Sequence, residues 1–215
     1  LGGVQSTDKI LDVGCGIGRM AMPLTGYLST VGEYCGFDIV KSGIDWCTRR
    51  ISPKFPNFRF THSDVQNAHY NRSGTTRARD YRFPHGDQTF DFAFATSVFT
   101  HMLTADLENY VGELSRVLKT GGRCLVTFFL LNEESRALIR AGRSTLDFKY
   151  ERADGCLTTV EDDPEAAIAY DERYIVRLLE QFGLELVYPI HYGRWCGRPV
   201  FTSYQDILIA TRKRS

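Results

Sequence analysis

The sequence predicts an α/β protein: a seven-stranded, mostly parallel sheet whose last strand is antiparallel, with helices on both faces and a lid-like insertion after strand five. Three observations predict it. Short apolar strand runs alternate with helical patterns along most of the 215 residues, which is the order of a parallel sheet covered by helices. An apolar run, Ile10–Val13, ends in glycines at alternate positions, Gly14, Gly16 and Gly18, where backbone can turn sharply into a helix. No helical pattern separates the last two strands, so those two pair antiparallel.

Taken in order, the glycine turn leads into a helix over 19–28, with Pro23 tolerated near its start because the first N–H groups of a helix have no partner. Glu33–Ile39 is the second strand. Ser42 and Asp45 have the spacing of a helix cap, and Ile44, Cys47 and Ile51 share one face of the helix that follows. Phe58–Thr61 makes a third strand. Residues 66–89 are polar, and Arg72, Arg77, Arg79 and Arg82 there read as a solvated face. Phe90–Ala95 is apolar throughout apart from Asp91, as in a strand covered on both sides.

Thr104 caps a helix bearing Leu107, Tyr110, Val111, Leu114, Val117 and Leu118 at helical spacing, and Gly121-Gly122 ends it. Arg123–Phe129 is the fifth strand. Residues 131–169 break the alternation, with a short helix over 132–140 and short strands over 146–150 and 156–160. A helix over 171–182 closed by Gly183, a strand over 184–191 and a strand over 204–211 complete the chain. Nothing marks a second domain, so residues 1–215 read as one domain with a substrate lid at 131–169.

Lysine plus arginine equals aspartate plus glutamate, 26 each, which argues against a large nucleic-acid footprint. No apolar run reaches the length of a membrane span, and no secretory leader is expected. The six cysteines show no C-x-x-C pair, so a reduced cytoplasmic protein without a zinc site is expected. Oligomeric state is not legible.

The glycine string decides the ligand class. Gly14-Cys15-Gly16-Ile17-Gly18-Arg19 is G-x-G-x-G, with Arg19 where a dinucleotide fingerprint needs its third glycine. Asp12, just ahead of it, repels a pyrophosphate and suits an ammonium. With Asp38 at the end of strand two, the Phe90–Met102 segment and Glu113–Gly122, these motifs resemble the class I S-adenosylmethionine-dependent methyltransferases. Thr120 stands where that family usually has proline, at the sheet edge away from the ligand.

The resemblance implies S-adenosylmethionine as cofactor and S-adenosylhomocysteine as product. It implies contacts from Asp12, Gly14, Cys15, Gly16, Gly18 and Arg19, a ribose-binding Asp38 with Ile39 on the adenine, and Asp64 and Val65 at the adenine edge. Thr96, Ser97 and Val98 would line the methionine end. His101 is the candidate general base, and His101, Tyr192, Arg194 and Trp195 are the candidate acceptor contacts. For Trp195 the alternative is packing beneath the lid. The expected acceptor is a small molecule methylated at oxygen or nitrogen, with no nucleic acid. A cofactor-binding module without catalysis and a nicotinamide oxidoreductase remain the alternatives.

Overall fold

A computed structural model of the chain describes residues 1–152 and 155–213. The order is β1 (Lys9–Val13), α1 (Ala21–Leu24), β2 (Glu33–Asp38), α2 (Lys41–Arg50), β3 (Phe58–His62), β4 (Phe90–Ala95), α3 (Thr104–Val117) and β5 (Leu118–Phe128). Then come β6 (Leu130–Leu131), α4 (Glu133–Arg140), β7 (Tyr150–Glu151), β8 (Leu157–Thr158), β9 (Ile168–Asp171), α5 (Glu172–Gln181), β10 (Leu184–His191) and β11 (Asp206–Arg212).

The main sheet has seven strands in the order β10-β11-β5-β4-β1-β2-β3, and β11 runs antiparallel to both of its neighbours. Strand side chains alternate between two faces. Ile10, Tyr34, Phe58, Phe92 and Phe94 pack with Ala21 of α1 and Cys47 of α2. Leu11, Val13, Phe37, Ala93 and Ala95 pack on the other face with Leu107, Val111 and Leu114 of α3 and Ile175 and Leu179 of α5. Each large side chain withdrawn from water in these two layers contributes roughly 1.5–3 kcal/mol before the cost of ordering it.

Register sets up the site. Val13 pairs with Phe37 on one side and Ala95 on the other, so the carboxyl ends of β1, β2 and β4 finish level. That level edge is where an open α/β sheet holds ligands.

Several element boundaries differ from the expectation. The first helix is only Ala21–Leu24, because Pro23 has no N–H to donate and Gly26 follows closely. Ser42 does not cap α2: that helix starts at Lys41, and Asp45 is held by Lys41 Nζ at 2.8 Å. α3 ends at Val117 rather than at Gly121-Gly122, which fall inside β5. The backbone there is crowded; a Cβ on Gly122 would lie 2.8 Å from the Lys119 carbonyl oxygen.

The segment after β5 builds a second, four-stranded sheet in the order β6-β9-β8-β7. It leaves from the carboxyl end of β5. Its core joins Phe129, Leu131, Phe148 and Ala169 to Trp195 and Cys196 of the β10–β11 loop. Among the described residues, no helix is long and apolar enough to cross a membrane.

Candidate functional site

Gly14, Gly16 and Gly18 all have positive φ, at 75°, 55° and 77°, a conformation that side chains disfavour. Space separates their roles. A Cβ on Gly14 would lie 2.5 Å from Val98 Cγ2, and one on Gly18 would meet Ile51 and Cys47 at 2.9–3.0 Å. A Cβ on Gly16 would meet nothing within 4 Å, because that position faces a cavity.

The turn is tied to β2 by the amides of Gly14 and Cys15, which both donate to the Phe37 carbonyl at 2.9 and 3.0 Å. Asp38 closes the arrangement. Its Oδ2 accepts from the Gly16 amide and its Oδ1 from the Val40 amide, each at 2.7 Å. The carboxylate is therefore pinned between the glycine turn and the start of α2, and it lies on the cavity wall.

The cavity has about 230 Å³ of space at the carboxyl ends of the strands. Apolar wall comes from Val13, Phe37, Ile39, Val65, Val98 and Met102. Polar groups reach it from Asp38, Asn67, Ser97, His101, Asp106 and Glu165. Ser97 is held at φ 58°, a conformation costing about 1 kcal/mol or more outside glycine. Its amide donates to Thr127 Oγ1 at 2.8 Å, and its hydroxyl bonds Gln205 at 3.1 Å, so β5 and the residue before β11 fix this turn.

His101 sits in a short 3-10 turn after β4. Its Nδ1 is 2.9 Å from the Glu165 carbonyl oxygen. Only an N–H pairs with a carbonyl, so Nδ1 carries a proton, and in the neutral ring the lone pair is on Nε2.

Other expected contacts lie elsewhere. Cys15 is buried against Gly36 beneath the turn, Gly18 packs on α2, and Arg19 is exposed away from the cavity wall. The Asp64 carboxylate accepts from Thr75 Oγ1 at 2.6 Å and clamps the loop that follows β3, while Val65 beside it faces the cavity. Thr96 is half-buried and not on the wall.

The loop before β11 departs most. Trp195 is fully buried between Phe129 and Phe148, and its indole N–H donates to Asp206 at 2.7 Å. Its role is packing. Tyr192 donates to Glu172 at 2.9 Å, and Arg194 lies outside over the Phe201 ring. None of the three lines the cavity.

Asp12 is nearly fully buried, and the Tyr34 hydroxyl donates to its Oδ2. It does not line the cavity. Its Oδ1 has no partner among the described residues. Burial above all, helped by the Asp38 charge, pushes this carboxyl up to about 7, against the Tyr34 bond. From about pH 4 to about 7 the folded protein keeps a proton that the unfolded chain has released. Stability therefore falls as pH rises through this window, by roughly 1.4 kcal/mol per unit, and levels off above it. Asp12→Asn is expected to remove that slope: thermal melts of the two proteins should converge near pH 4 and favour the variant at pH 8.

Sequence reasoning missed Asn67, Tyr70, Met102, Asp106, Tyr110 and Glu165 on the cavity wall. Tyr110 shows only the periodicity of a core helix, and Glu165 lies in acidic loop text. Neither carries a local signal for the site.

A methyltransferase-domain family model matches residues 5–183. The chain belongs to the methyltransferase-domain family. The seven-stranded sheet is that of the class I S-adenosylmethionine-dependent methyltransferases. The methyltransferase domain is 25% identical over 163 residues to the tRNA N(3)-cytidine methyltransferase METTL2 of Xenopus tropicalis, covering 71% of this chain and 42% of that protein. It is 27% identical over 153 residues to the sterol 24-C-methyltransferase erg6 of Schizosaccharomyces pombe, covering 71% and 36%. The chain thus spans about two fifths of the length of these curated relatives.

A solved structure of similar fold is the Burkholderia thailandensis 1,6-didemethyltoxoflavin-N1-methyltransferase with bound 1,6-didemethyltoxoflavin and S-adenosylhomocysteine. It has a TM-score of 0.60 and 14% identity, covering 96% of this chain and 72% of that one. The expectation that nucleic acid is excluded does not stand, because relatives of this domain act on tRNA. Net charge sums over the whole surface, whereas a binding site needs positive charge only where phosphates sit.

The residues present fit S-adenosylmethionine. The open side of Gly16 leaves room for ligand against backbone, and Asp38 offers a fixed carboxylate. The unpartnered Asp12 Oδ1 is an orphaned buried acceptor beneath the turn.

Proposed function

We propose that this domain transfers the methyl group of S-adenosylmethionine to an oxygen or nitrogen of its acceptor, with His101 as the base. The observation that carries the reading is the shared wall: the Gly14–Gly16 turn, Asp38 and His101 line one cavity. When bound, the cofactor supplies an activated methyl on a sulfonium. The domain then has to align the acceptor and exclude water.

Asp38 would accept from the ribose hydroxyls with the lone pairs its amide bonds leave free. Ile39 and Val65 would flank the adenine, and Ser97 and Val98 would hold the amino-acid end. Thr75 holds one oxygen of the Asp64 carboxylate, and the Val65 backbone would serve the adenine edge. His101 Nε2 would take the proton that an attacking hydroxyl or N–H must lose. Residues 131–169 would serve as the lid of a single cofactor-binding unit. In support, Glu165 lines the cavity, its carboxylate accepts from the Ala68 amide at 3.2 Å, and Asp163 pairs with His69 at 2.8 Å.

Calorimetry tests the cofactor assignment. S-adenosylhomocysteine is expected to bind and NAD is not. Asp38→Ala removes a charged acceptor and should weaken S-adenosylhomocysteine binding by roughly 1.5–3 kcal/mol. Unchanged affinity in the folded variant would reject the ribose role, and a wild-type domain that binds no S-adenosylhomocysteine would reject the function.

A further inference from the structure

A second groove adjoins the cavity and shares Gln66, Asn67, Ala78, Asp106 and Glu165 with it. Its remaining lining includes three arginines, Arg72, Arg77 and Arg79. Their attachment is alike. Arg72 donates from Nε to the Ala68 carbonyl at 2.7 Å, and Arg77 donates from Nε to Asp80 at 2.7 Å. Arg79 Nε lies 3.6 Å from Asp106. Among the described residues, the terminal Nη groups of these three arginines make no hydrogen bond to the protein.

All three side chains are exposed, so their forks are open to a ligand from solvent. Arg82, on the same stretch but outside the groove, directs a terminal nitrogen toward Asp87 at 3.5 Å. The backbone under the arginines is held in place as well. Asn109 of α3 donates to the carbonyls of Ala78 and Tyr81, both at 2.8 Å, fixing the turn that carries Arg77 and Arg79. The groove also holds two carboxylates, and both are engaged: Asp106 with Arg79, and Glu165 with the Ala68 amide. Asp106 steadies Arg79 and Glu165 steadies the loop, while the forks stay available.

We propose that the groove binds a phosphate group of the methyl acceptor, an assignment that rests on the methyl-transfer reading above. A guanidinium presents paired N–H donors that match phosphate oxygens, and three forks in one groove suit a group bearing up to two charges better than a single carboxylate. Position supports it too. Glu165 lines the groove with its side chain and holds His101 through its carbonyl, so the phosphate site and the base share one residue.

The experiment measures binding of a fluorescein-labelled short RNA oligonucleotide across a salt series, with cytidine 5′-monophosphate and cytidine as competitors. Wild type, the triple variant R72A/R77A/R79A, the triple lysine variant and R82A are compared. S-adenosylhomocysteine affinity of each is measured beside it. The triple alanine variant is expected to lose tenfold or more in RNA affinity. Its slope of log affinity against log salt should shrink by about 0.7, the value for one phosphate no longer neutralised. The lysine variant should recover part of the affinity, R82A should match wild type, and S-adenosylhomocysteine binding should stay constant throughout. Competition by the monophosphate but not by cytidine identifies a small phosphorylated acceptor, and binding confined to the oligonucleotide identifies a polynucleotide; either supports the site. Wild type that binds S-adenosylhomocysteine but neither phosphate probe, or a triple variant that binds RNA as wild type does, overturns it. Failure of wild type to bind S-adenosylhomocysteine counts instead against the methyl-transfer reading.

Discussion

Replacing His101 by alanine is expected to lower methyl-transfer turnover about 10²–10⁴-fold, the usual contribution of a positioned base. Cofactor affinity should barely change, because Asp38, the glycine turn and Val65 remain. The mechanism rests on the tautomer: the Glu165 carbonyl holds the Nδ1 proton, so in the neutral ring Nε2 is the nitrogen that accepts one. His101→Asn, which keeps a donor for Glu165 but has no basic nitrogen, should be as impaired as alanine. Steady-state kinetics with calorimetry on the same preparations checks this. Near-normal turnover in both variants would leave His101 as a clasp between the turn after β4 and the insertion, with no part in proton transfer.

Asp206→Ala should destabilise the fold by roughly 3–5 kcal/mol, since removing one partner leaves buried groups uncompensated. Asp206 is fully buried. Its Oδ1 accepts from the Gly193 amide at 2.7 Å and Arg198 at 3.0 Å. Its Oδ2 accepts from the Leu130 amide and the Trp195 indole, each at 2.7 Å. One side chain thus joins β6, β11 and the loop between β10 and β11. Arg198, itself nearly buried, keeps Glu134 at 2.8 Å but loses its interior partner. Urea unfolding followed by tryptophan fluorescence measures the loss. A change below about 1 kcal/mol would mean that relaxation or water satisfies the four donors, and the network would not be what holds the insertion to the sheet.

The glycine-turn side of the cavity is legible where its determinants are local. A strand, three glycines with positive φ and an acid at the end of the next strand lie within thirty residues, and parallel register brings Val13, Phe37 and Ala95 level. Legibility ends where a side chain's task depends on a partner distant in sequence. Asp64 has the position of an adenine contact, but Thr75 ties one of its oxygens to the loop after β3. Trp195 and Arg194 have the position of acceptor contacts because their loop leaves the ligand edge of the sheet. Trp195 instead turns inward to Asp206, Phe129 and Phe148.

By itself, the sequence determined the alternation of strands and helices, the antiparallel last strand, the glycine turn and Asp38, because periodicity and backbone constraints act over a few residues. Tertiary structure decided the rest. It chose which polar side chains face the cavity, through hydrogen bonds that tie Asp64, Tyr192 and Trp195 elsewhere. It brought Glu165 to His101 across 64 residues of chain. It also gathered Arg72, Arg77 and Arg79 into one groove, since local charge density is a property of how the loop is folded back onto α3, not of composition.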